Sequence, residues 1–430
     1  MKINSKFFKI FTPKIKSFIN FDKKMNTKKD DSYISKRAAE LKESATLAMS
    51  QKTRELKSKG IDVINLSIGE PDFFVPNFIK EAAKQAIDDN YSFYPPVAGY
   101  PELRQMISHK LKRDNKLDYE PSQVVVSNGA KHAIANIFLA IINEGDEVLI
   151  PAPYWVSYPP LVQLSQGVPV YINSTFDNDF RITAEDIERH ITPKTKAFIF
   201  SSPNNPSGKV YSYEELKEWA EVFAKYPQIL IISDEIYELI NFKDKHHSIA
   251  EFEEIRDRVI IVNGLSKGFA MTGWRVGYSV SPKNIAKTIE KIQGQMTSGI
   301  NDIGQMAALK ALSVDPEDCH ELIEMRESFR KRRDFMLEAL SEIPFMIPNN
   351  PDGAFYIFPK ITDLIGKSYE DTKINDSNDL AMYLLNTANV ALTSGISFGS
   401  KECIRLSYAT SKLQLEKAAE RIKKAINLLK

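Results

Sequence analysis

The sequence predicts an α/β protein: a large domain with a mostly parallel sheet covered by helices on both faces, plus a smaller α/β domain. Short runs rich in Val and Ile alternate with longer stretches whose apolar residues recur every three or four positions. Because the short runs are apolar throughout, they are typical of parallel strands buried on both faces. The length of 430 residues suits two or three domains of roughly 100–200 residues each.

Six apolar runs and the helical patterns between them make up the first part of this prediction. The predicted strands are Asp62–Leu66, Gln123–Val126, Glu147–Ile150, Ala197–Ser201, Ile229–Ser233 and Val259–Val262. The helical patterns include Lys131–Ile142 and Tyr213–Lys225. In such sheets ligands bind outside the carboxyl ends of the strands, so functional residues are expected directly after these runs.

The pattern changes after about residue 315. A long charged helix is predicted over Glu321–Ile343 and a closing helix over Leu413–Leu428. Three shorter strands are predicted over Ala354–Phe358, Val390–Thr393 and Ile404–Tyr408. We therefore expect residues 75–315 to form the large domain and residues 316–430 the small one. An N-terminal arm, residues 30–74, is expected to contribute a segment to the small domain.

Residues 1–29 form a basic tail rich in Phe and Ile. The tail carries nine lysines and one acid, Asp22, and therefore a charge of +8. It lacks arginine and has little serine, which argues against a transit peptide, and Met25 offers an alternative start. We therefore interpret it as a disordered or mis-started tail, with a targeting segment or a membrane-surface helix as alternatives.

The composition argues against several classes of protein. The net charge is +1, so the chain after the tail sums to −7, which does not suit a nucleic-acid partner. The two cysteines do not indicate a disulfide framework, and the six histidines, of which only His246 and His247 are adjacent, do not indicate a metal site. No apolar run in the sequence reaches the roughly 20 residues that span a bilayer. We expect a soluble, cytoplasmic protein without stable membrane association.

The most informative stretch is Asn263–Tyr278, which reads NGLSKGFAMTGWRVGY. Lys267 lies between small residues, which leave room for a planar cofactor joined to its amine. An amine with an unperturbed pKa of roughly 10.4 must be desolvated or lie beside a cation to act as a nucleophile at neutral pH. Arg275 can bind a phosphate through two parallel hydrogen bonds. A lysine and an arginine at this spacing would, by themselves, also fit a glycine-rich surface loop.

The run Gly264–Gly277 resembles the lysine signature of the class I aminotransferases, which use pyridoxal 5′-phosphate. The form SKGFAMTGWRVGY is similar to that of the subgroup containing aspartate and prephenate aminotransferases. The resemblance extends from about Lys42 to the C-terminus. It implies that Lys267 forms a Schiff base with the cofactor and shuttles the substrate proton. It also implies aspartate with 2-oxoglutarate as the substrate pair, with prephenate or another 2-oxo acid also accepted.

Three further motifs carry residues that the resemblance assigns to the cofactor ring. In SDEIYE, Asp234 pairs with the pyridine nitrogen and keeps it protonated, and Tyr237 donates to the phenolate oxygen of the ring. Asn205, in SSPNNPSG, bonds the same oxygen, and two donors there lower the pKa of the Schiff base. Trp155, in PAPYWVSY, covers the face of the ring. Each motif alone also fits an ordinary strand end, turn or core residue.

The resemblance assigns the cofactor phosphate to a turn, an arginine and a neighbouring subunit. The turn follows the predicted strand Gln123–Val126 and opens a helix, whose free N–H groups suit an anion. Many relatives have a serine at the position of Gly264, whereas here Ser266 directly precedes the lysine. Tyr94 would reach the phosphate bound by a second copy of the chain, which implies a homodimer with a shared active site. The candidate phosphate ligands are Gly129, Ala130, Lys131, Arg275, Ser266 and Tyr94.

The substrate is assigned chiefly to Arg405, in IRLSYAT. A guanidinium fork binds an α-carboxylate bidentately and can orient the Cα–H bond against the cofactor. Gly69, in SIGEPDF, would touch the same carboxylate through its backbone, and Lys131 would meet the distal carboxylate of a dicarboxylic substrate. The remaining candidates for substrate contact are Trp155, Asn205, Lys42, Ser44, Thr46 and Phe355.

Three other functions are compatible with parts of this pattern. A related fold could support lyase, decarboxylase or cyclopropane-forming chemistry, because the cofactor stabilises any Cα carbanion. A transcription regulator with an aminotransferase-like domain would need a DNA-binding module of roughly 60 residues in front, with a helix-turn-helix pattern. A catalytically dead scaffold would have lost Lys267, Asp234 or Arg275, and all three are present.

Overall fold

The computed structural model of the protein describes residues 33–41, 45–243 and 245–430. The predicted basic tail, Lys42 and Ser44 lie outside the described residues. The chain divides into two compact units, Met1–Leu41 and Lys42–Lys430. The described part of the first unit contains helix α1, Lys36–Ala39.

The second unit contains a seven-stranded sheet within the described ranges. Its strands are β2 (Val124–Ser127), β3 (Glu147–Ala152), β4 (Val168–Asn173), β5 (Thr195–Ser201), β6 (Leu230–Asp234), β7 (Val259–Gly264) and β8 (Gly277–Val280). They lie in the order β2-β8-β7-β6-β5-β3-β4. Strand β8 is antiparallel to both of its neighbours, and the other pairs are parallel. The prediction of a mostly parallel sheet is therefore confirmed.

Helices surround this sheet and continue into the C-terminal part. They are α2 (Ala45–Ser58), α3 (Asn77–Asp88), α4 (Pro101–Lys110), α5 (Ala130–Ile141), α6 (Tyr158–Leu164), α7 (Ala184–His190), α8 (Tyr213–Ala224), α9 (Glu253–Arg256), α10 (Lys283–Met296), α11 (Asp302–Leu312), α12 (His320–Ser341), α13 (Ser377–Tyr383) and α14 (Lys412–Ile426). In the described part of the chain, no helix combines the length and apolar character that crossing a membrane requires.

Adjacent residues of the central strands pack on opposite faces of the sheet. In β6, Ile231 belongs to the same core cluster as Trp219 of α8. Its neighbour Ile232 belongs to a second cluster with Ile137 of α5 and Ile289 of α10. All five side chains are at most 1% exposed. Because successive strand side chains alternate between faces, an unbroken apolar run requires helices on both sides.

The smaller α/β domain combines an N-terminal segment with the C-terminal part. Strand β1 (Ile64–Asn65) pairs in parallel with β12 (Val390–Ala391). The other short strands of this part are β9 (Tyr356–Ile357), β10 (Ser368–Tyr369), β11 (Thr372–Lys373), β13 (Thr393–Ser394) and β14 (Ile404–Ser407). Three of them form an antiparallel sheet with the order β13-β14-β9. The predicted contribution of the N-terminal segment is confirmed, whereas the boundaries at residues 75 and 316 stay predictions.

Two strands of the main sheet, β4 and β8, were not predicted from the sequence. Strand β4 is an edge strand with several exposed residues, so it lacks the continuous apolar run that marks its neighbours. Strand β8 spans four residues and begins at Gly277, inside the stretch Asn263–Tyr278 that contains Lys267. Within Asp62–Leu66, only Ile64–Asn65 pairs as a strand. Short or edge strands carry too little periodicity to be distinguished from loops.

Candidate active site

A cavity of about 230 Å³ opens at the carboxyl ends of the parallel strands. Residues at the ends of β5 and β6, in the loop after β7 and at the start of α5 line this cavity. Residues of the N-terminal segment and of β14 complete its wall. The lining residues are Thr46, Leu47, Gly69, Ala130, Lys131, Trp155, Val156, Ser157, Tyr158, Ser201, Asn205, Asp234, Ile236, Tyr237, Ser266, Lys267, Thr272, Arg275, Tyr356 and Arg405.

Asp234 is the last residue of β6 and is 4% exposed. The Tyr158 hydroxyl donates to Asp234 Oδ2 over 2.7 Å, and the Ile236 N–H donates to Oδ1 over 3.3 Å. Burial nevertheless raises the pKa of Asp234 to about 6, because these two bonds only partly offset the loss of water. The carboxylate is therefore held rigidly and is short of positive charge, which suits it to pair with a cationic ring nitrogen.

Lys267 lies in the loop after β7, and its Nζ donates to the Gly69 carbonyl oxygen over 2.6 Å. Desolvation lowers the pKa of this amine to about 8, and the nearby Glu70 carboxylate opposes the shift. A neutral amine is thus more accessible near neutral pH than it is for an exposed lysine. The structure meets the requirement that the sequence analysis placed on a covalent lysine.

The turn between β2 and α5 faces Arg275. The guanidinium donates to the carbonyl oxygens of Thr272 and Asn128, over 2.9 and 3.2 Å. Gly129 has a φ of +82°, and a Cβ at this position would lie 2.3 Å from Arg275 Nη2. Since α5 begins at Ala130, its unpaired N–H groups and the guanidinium flank the same space. This arrangement can hold a phosphate.

Arg405, on β14, is 2% exposed. Its Nη1 donates to Asn205 Oδ1 over 2.9 Å, and Nη2 donates to the Ser67 carbonyl oxygen over 2.6 Å. Burial lowers the pKa of the guanidinium. No carboxylate lies within ion-pair distance among the described residues, and Nε is buried without a hydrogen-bond partner there. A buried, uncompensated guanidinium indicates a site for an anionic ligand.

Trp155 and Lys131 form one side of the cavity. The Lys131 amine lies 5.1 Å from the centroid of the Trp155 ring, close enough for a cation–π interaction. Desolvation and repulsion from Arg275 lower the pKa of Lys131. Thr46 of α2 lines the same cavity, so an ammonium and a hydroxyl are available to a polar substrate group.

Most of the predicted site residues lie together in this cavity. Gly129 is not among the lining residues, but it packs against the Arg275 guanidinium, which is. Phe355 is fully buried and is not among the lining residues; its ring lies 6.0 Å from Lys267 Nζ. Tyr94 is 92% exposed and lies outside the lining formed by the described part of its own chain. Lys42 and Ser44 fall outside the described residues.

Several lining residues were missed by the sequence analysis. Tyr158 is the nearest partner of Asp234, and the only available signal was its place in PAPYWVSY, three residues after Trp155. Ser201 ends β5 beside Asp234, as the rule for parallel sheets would have indicated. Tyr356 and Thr272 carry no local signal, because tyrosine and threonine are common in strands and turns.

The profile of the family "Aminotransferase class I and II" matches residues 61–422. The chain belongs to this aminotransferase family. A "Probable aspartate/prephenate aminotransferase" of Rickettsia conorii is 45% identical over 401 residues, which cover 93% of this chain and 99% of that protein. The name of this relative agrees with the subgroup that the lysine motif predicted.

Two solved structures have the same fold. The aspartate aminotransferase of Rhizobium meliloti has a TM-score of 0.88 and 36% identity, covering 92% of this chain and 99% of that one. The aspartate aminotransferase from Thermus thermophilus with maleate has a TM-score of 0.86 and 38% identity, covering 91% and 99%. Enzymes of the family generally use pyridoxal phosphate. The residues present fit that cofactor, since the cavity offers a lysine amine, a buried carboxylate, and the Arg275 guanidinium beside the start of α5.

Proposed function

We propose that this aminotransferase uses pyridoxal 5′-phosphate and exchanges the amino group between aspartate and 2-oxoglutarate. The observation that carries the proposal is the meeting of Lys267, Asp234 and two arginines in one cavity. Arg275 and Arg405 supply two separate anion sites, one for the cofactor phosphate and one for the substrate carboxylate. When bound, the cofactor accepts the electrons of the substrate Cα–H bond.

Each residue of the cavity has one task in this proposal. Lys267 attaches the cofactor, and its released amine then moves the proton at the substrate Cα. Asp234 pairs with the protonated ring nitrogen. The hydrogen bond from the Tyr158 hydroxyl fixes the orientation of the Asp234 carboxylate. Because Asn205 Oδ1 accepts from Arg405, its Nδ2 remains to donate to the ring oxygen together with Tyr237. Trp155 limits the tilt of the ring.

The cofactor phosphate is bound by the start of α5 and by Arg275. Ala130 supplies a free N–H group at the helix N-terminus, and Ser266, which is 7% exposed, lines the same end of the cavity. Tyr94 completes the phosphate site of a second copy. Its exposure of 92%, next to Phe93 at 83%, supports a homodimer interface, because large aromatic side chains are rarely left in water together. We place this dimer in the cytoplasm.

The preference for an acidic substrate rests on Lys131 and Thr46, with Lys42 as a further candidate. The Lys131 amine can pair with the distal carboxylate of aspartate while Arg405 binds the α-carboxylate. The Rickettsia conorii relative is named for both aspartate and prephenate, and the Thermus thermophilus enzyme is described with maleate, a dicarboxylate. Prephenate is therefore proposed as a second amino acceptor.

A substrate screen tests the proposal directly. The full chain loaded with pyridoxal phosphate is given aspartate, glutamate, alanine or aromatic amino acids with 2-oxoglutarate, and the products are quantified. Aspartate should give glutamate and oxaloacetate in equal amounts. Release of ammonia or carbon dioxide instead would indicate the alternative lyase or decarboxylase chemistry and would overturn the assignment.

A lysine variant tests the attachment point. Lys267→Ala should lose the cofactor link that borohydride makes permanent and should lose transamination. Lys283→Ala is the matched control, because the Lys283 side chain is 59% exposed and pairs with Glu120 at the surface. Equal borohydride labelling of the wild type and Lys267→Ala would contradict the role of Lys267.

A further inference from the structure

Tyr356 contacts two groups of the cavity that the proposed function uses separately. It lies on β9, where it pairs with Ser407 of β14, and it is 1% exposed. Its hydroxyl is 2.8 Å from the Tyr237 hydroxyl. Its ring centroid lies 4.5 Å from Cζ of Arg405. The Tyr356 side chain therefore contacts both Tyr237, the proposed donor to the cofactor ring oxygen, and Arg405, the proposed ligand of the substrate carboxylate.

The hydrogen bond between the two hydroxyls has a preferred direction. A pair of hydroxyls shares one hydrogen and leaves the other free. The Arg405 cation over the Tyr356 ring withdraws electron density from it, so the Tyr356 O–H is the better donor. Neither oxygen has another hydrogen-bond partner among the described residues. Tyr237 is then the acceptor, and its own hydrogen is free to point into the cavity.

The backbone at Gly69 holds Tyr356 in this position. A Cβ at residue 69 would lie 2.1 Å from the Tyr356 hydroxyl oxygen. The Tyr356 hydroxyl thus occupies the space that a side chain at position 69 would need, and it cannot move toward that segment. The Gly69 carbonyl also accepts from Lys267. Tyr356 is therefore confined between the segment beside the lysine and the Tyr237 hydroxyl.

We propose that Tyr356 is a positioning residue, which donates its hydroxyl hydrogen to Tyr237 and holds the Arg405 guanidinium with its ring. The inference rests on the proposed function and deepens it. Donation from Tyr356 polarises the Tyr237 hydroxyl, because hydrogen bonds in a chain strengthen one another in a low-dielectric site. Tyr237 consequently becomes a stronger donor to the ring oxygen of the cofactor. Through its own ring, Tyr356 also keeps the Arg405 guanidinium in a fixed position relative to the cofactor ring.

The charged and titratable neighbours determine the direction in which a substitution at Tyr356 shifts the pKa of the cofactor linked to Lys267. Those facing the tyrosine pair and the lysine amine are Asp234, Lys267, Arg405, Glu70 and Arg275. A Tyr356→Phe substitution changes none of these charges and removes one hydroxyl. With a weaker donor at the ring oxygen, the cofactor linked to Lys267 holds its proton more tightly. Its pKa should therefore rise.

The test is a pH titration of the visible absorption band of the holoenzyme. In Tyr356→Phe the midpoint should move upward by about 0.4–1 pH unit, the equivalent of one ordinary hydrogen bond. KM for aspartate should stay within about twofold, because the ring over Arg405 remains. Tyr356→Leu removes the ring as well and should also raise KM severalfold.

Tyr408→Phe is the matched control. Tyr408 is buried like Tyr356, and its hydroxyl donates to the Ala354 carbonyl oxygen over 3.1 Å, away from the cavity lining. The substitution should lower stability without moving the midpoint. A second measurement uses Tyr237→Phe as the background, where adding Tyr356→Phe should cause no further shift.

Two outcomes would overturn the proposal. An unchanged midpoint in Tyr356→Phe, with the wild type titrating normally, would exclude donation to Tyr237. An equal shift in the wild-type and Tyr237→Phe backgrounds would show that Tyr356 acts by another route. A failure of the proposed function looks different, because the wild type itself would then show no borohydride-sensitive band or no transfer from aspartate.

Discussion

At the scale of single residues, burial moves the two central ionisable groups in opposite directions. The pKa of Lys267 is lowered to about 8, and that of Asp234 is raised to about 6. Both shifts have desolvation as their main cause, because burial disfavours the charged form of each group. Such an arrangement lowers the stability of the empty protein, and it provides a reactive amine next to a carboxylate that lacks a counter-ion.

We therefore predict that Lys267→Met stabilises the cofactor-free protein near pH 7. The native pKa of about 8 lies below the ordinary lysine value of 10.5. Below pH 8 the lysine is protonated in both states, and the native state bears the full cost of burying the charge. Between the two values the unfolded chain binds a proton that the native protein does not, so wild-type stability rises with pH.

Urea unfolding of both apoproteins at pH 7 and pH 9.5 checks this prediction. The variant should gain up to about 3 kcal/mol at pH 7, at roughly 1.4 kcal/mol per pKa unit. The gain should shrink as the pH rises above 8 and disappear near 10.5. Lys283→Met, at the surface, should show no such change. A gain that stays constant with pH would contradict a charge effect and indicate better packing instead.

At the scale of elements, the junction of β2, α5 and β8 is the most constrained part of the site. Strand β8 runs antiparallel to β2, with Ser127 opposite Gly277. A Cβ on Gly277 would lie 2.3 Å from the Ala130 backbone nitrogen. Strand β8, which begins two residues after Arg275, can thus approach the first turn of α5 only because both facing residues, Gly129 and Gly277, are glycine.

Gly129→Ala should weaken binding of pyridoxal phosphate. The new Cβ would meet the Arg275 guanidinium, and the positive φ of +82° is unfavourable for alanine. We expect a loss of about 10- to 100-fold in affinity, the range for disturbing hydrogen bonds to a charged group. Gly145→Ala is the control, since its φ is +84° and no described heavy atom lies within 4 Å of its added Cβ.

Equilibrium dialysis of the cofactor, together with thermal unfolding of the apoproteins, distinguishes the two effects. Both variants should lose stability through backbone strain, by about 1–3 kcal/mol each. Only Gly129→Ala should also lose affinity for the cofactor. Equal affinities in the two variants would mean that the turn does not carry the phosphate.

At the scale of the whole molecule, the cavity depends on parts of the chain that are far apart in sequence. Asp234 ends β6 of the main sheet and Lys267 lies in the loop after β7, whereas Arg405 comes from β14 of the small domain. Gly69 belongs to the N-terminal segment, whose neighbour Leu66 accepts from the Ser407 N–H over 2.8 Å. The proposed substrate site therefore combines segments that are distant in sequence, and the proposed dimer would add Tyr94 from a second copy.

A mixture of two impaired variants tests whether the active site is shared between the two copies of the proposed dimer. Lys267→Ala removes the attachment point, and Tyr94→Ala should weaken the phosphate site of the partner. In a hybrid dimer, one site would combine an intact Lys267 with an intact Tyr94. After subunit exchange, the activity of the mixture should exceed the mean of the two separate variants. Activity equal to that mean, with exchange verified by mass, would place Tyr94 outside the active site.

The sequence by itself determined the fold class, the family and most of the cavity. Continuous apolar runs indicate buried parallel strands because both faces of each strand must be covered, and Asp234 could be located because functional groups lie at the strand ends. The lysine motif is local, since Lys267 and Arg275 both belong to the loop between β7 and β8. Such features are visible because neighbours in sequence are also neighbours in space.

Only the tertiary structure decided which distant side chains meet. Tyr158 against Asp234, Tyr356 against Tyr237, and Arg405 against Asn205 are pairs separated by 76, 119 and 200 positions. Their hydrogen bonds depend on strand register and on the packing of one domain against the other, which no local pattern encodes. The degree of burial that shifts the pKa values of Lys267 and Asp234 arises in the same way, because solvent is excluded by the whole fold.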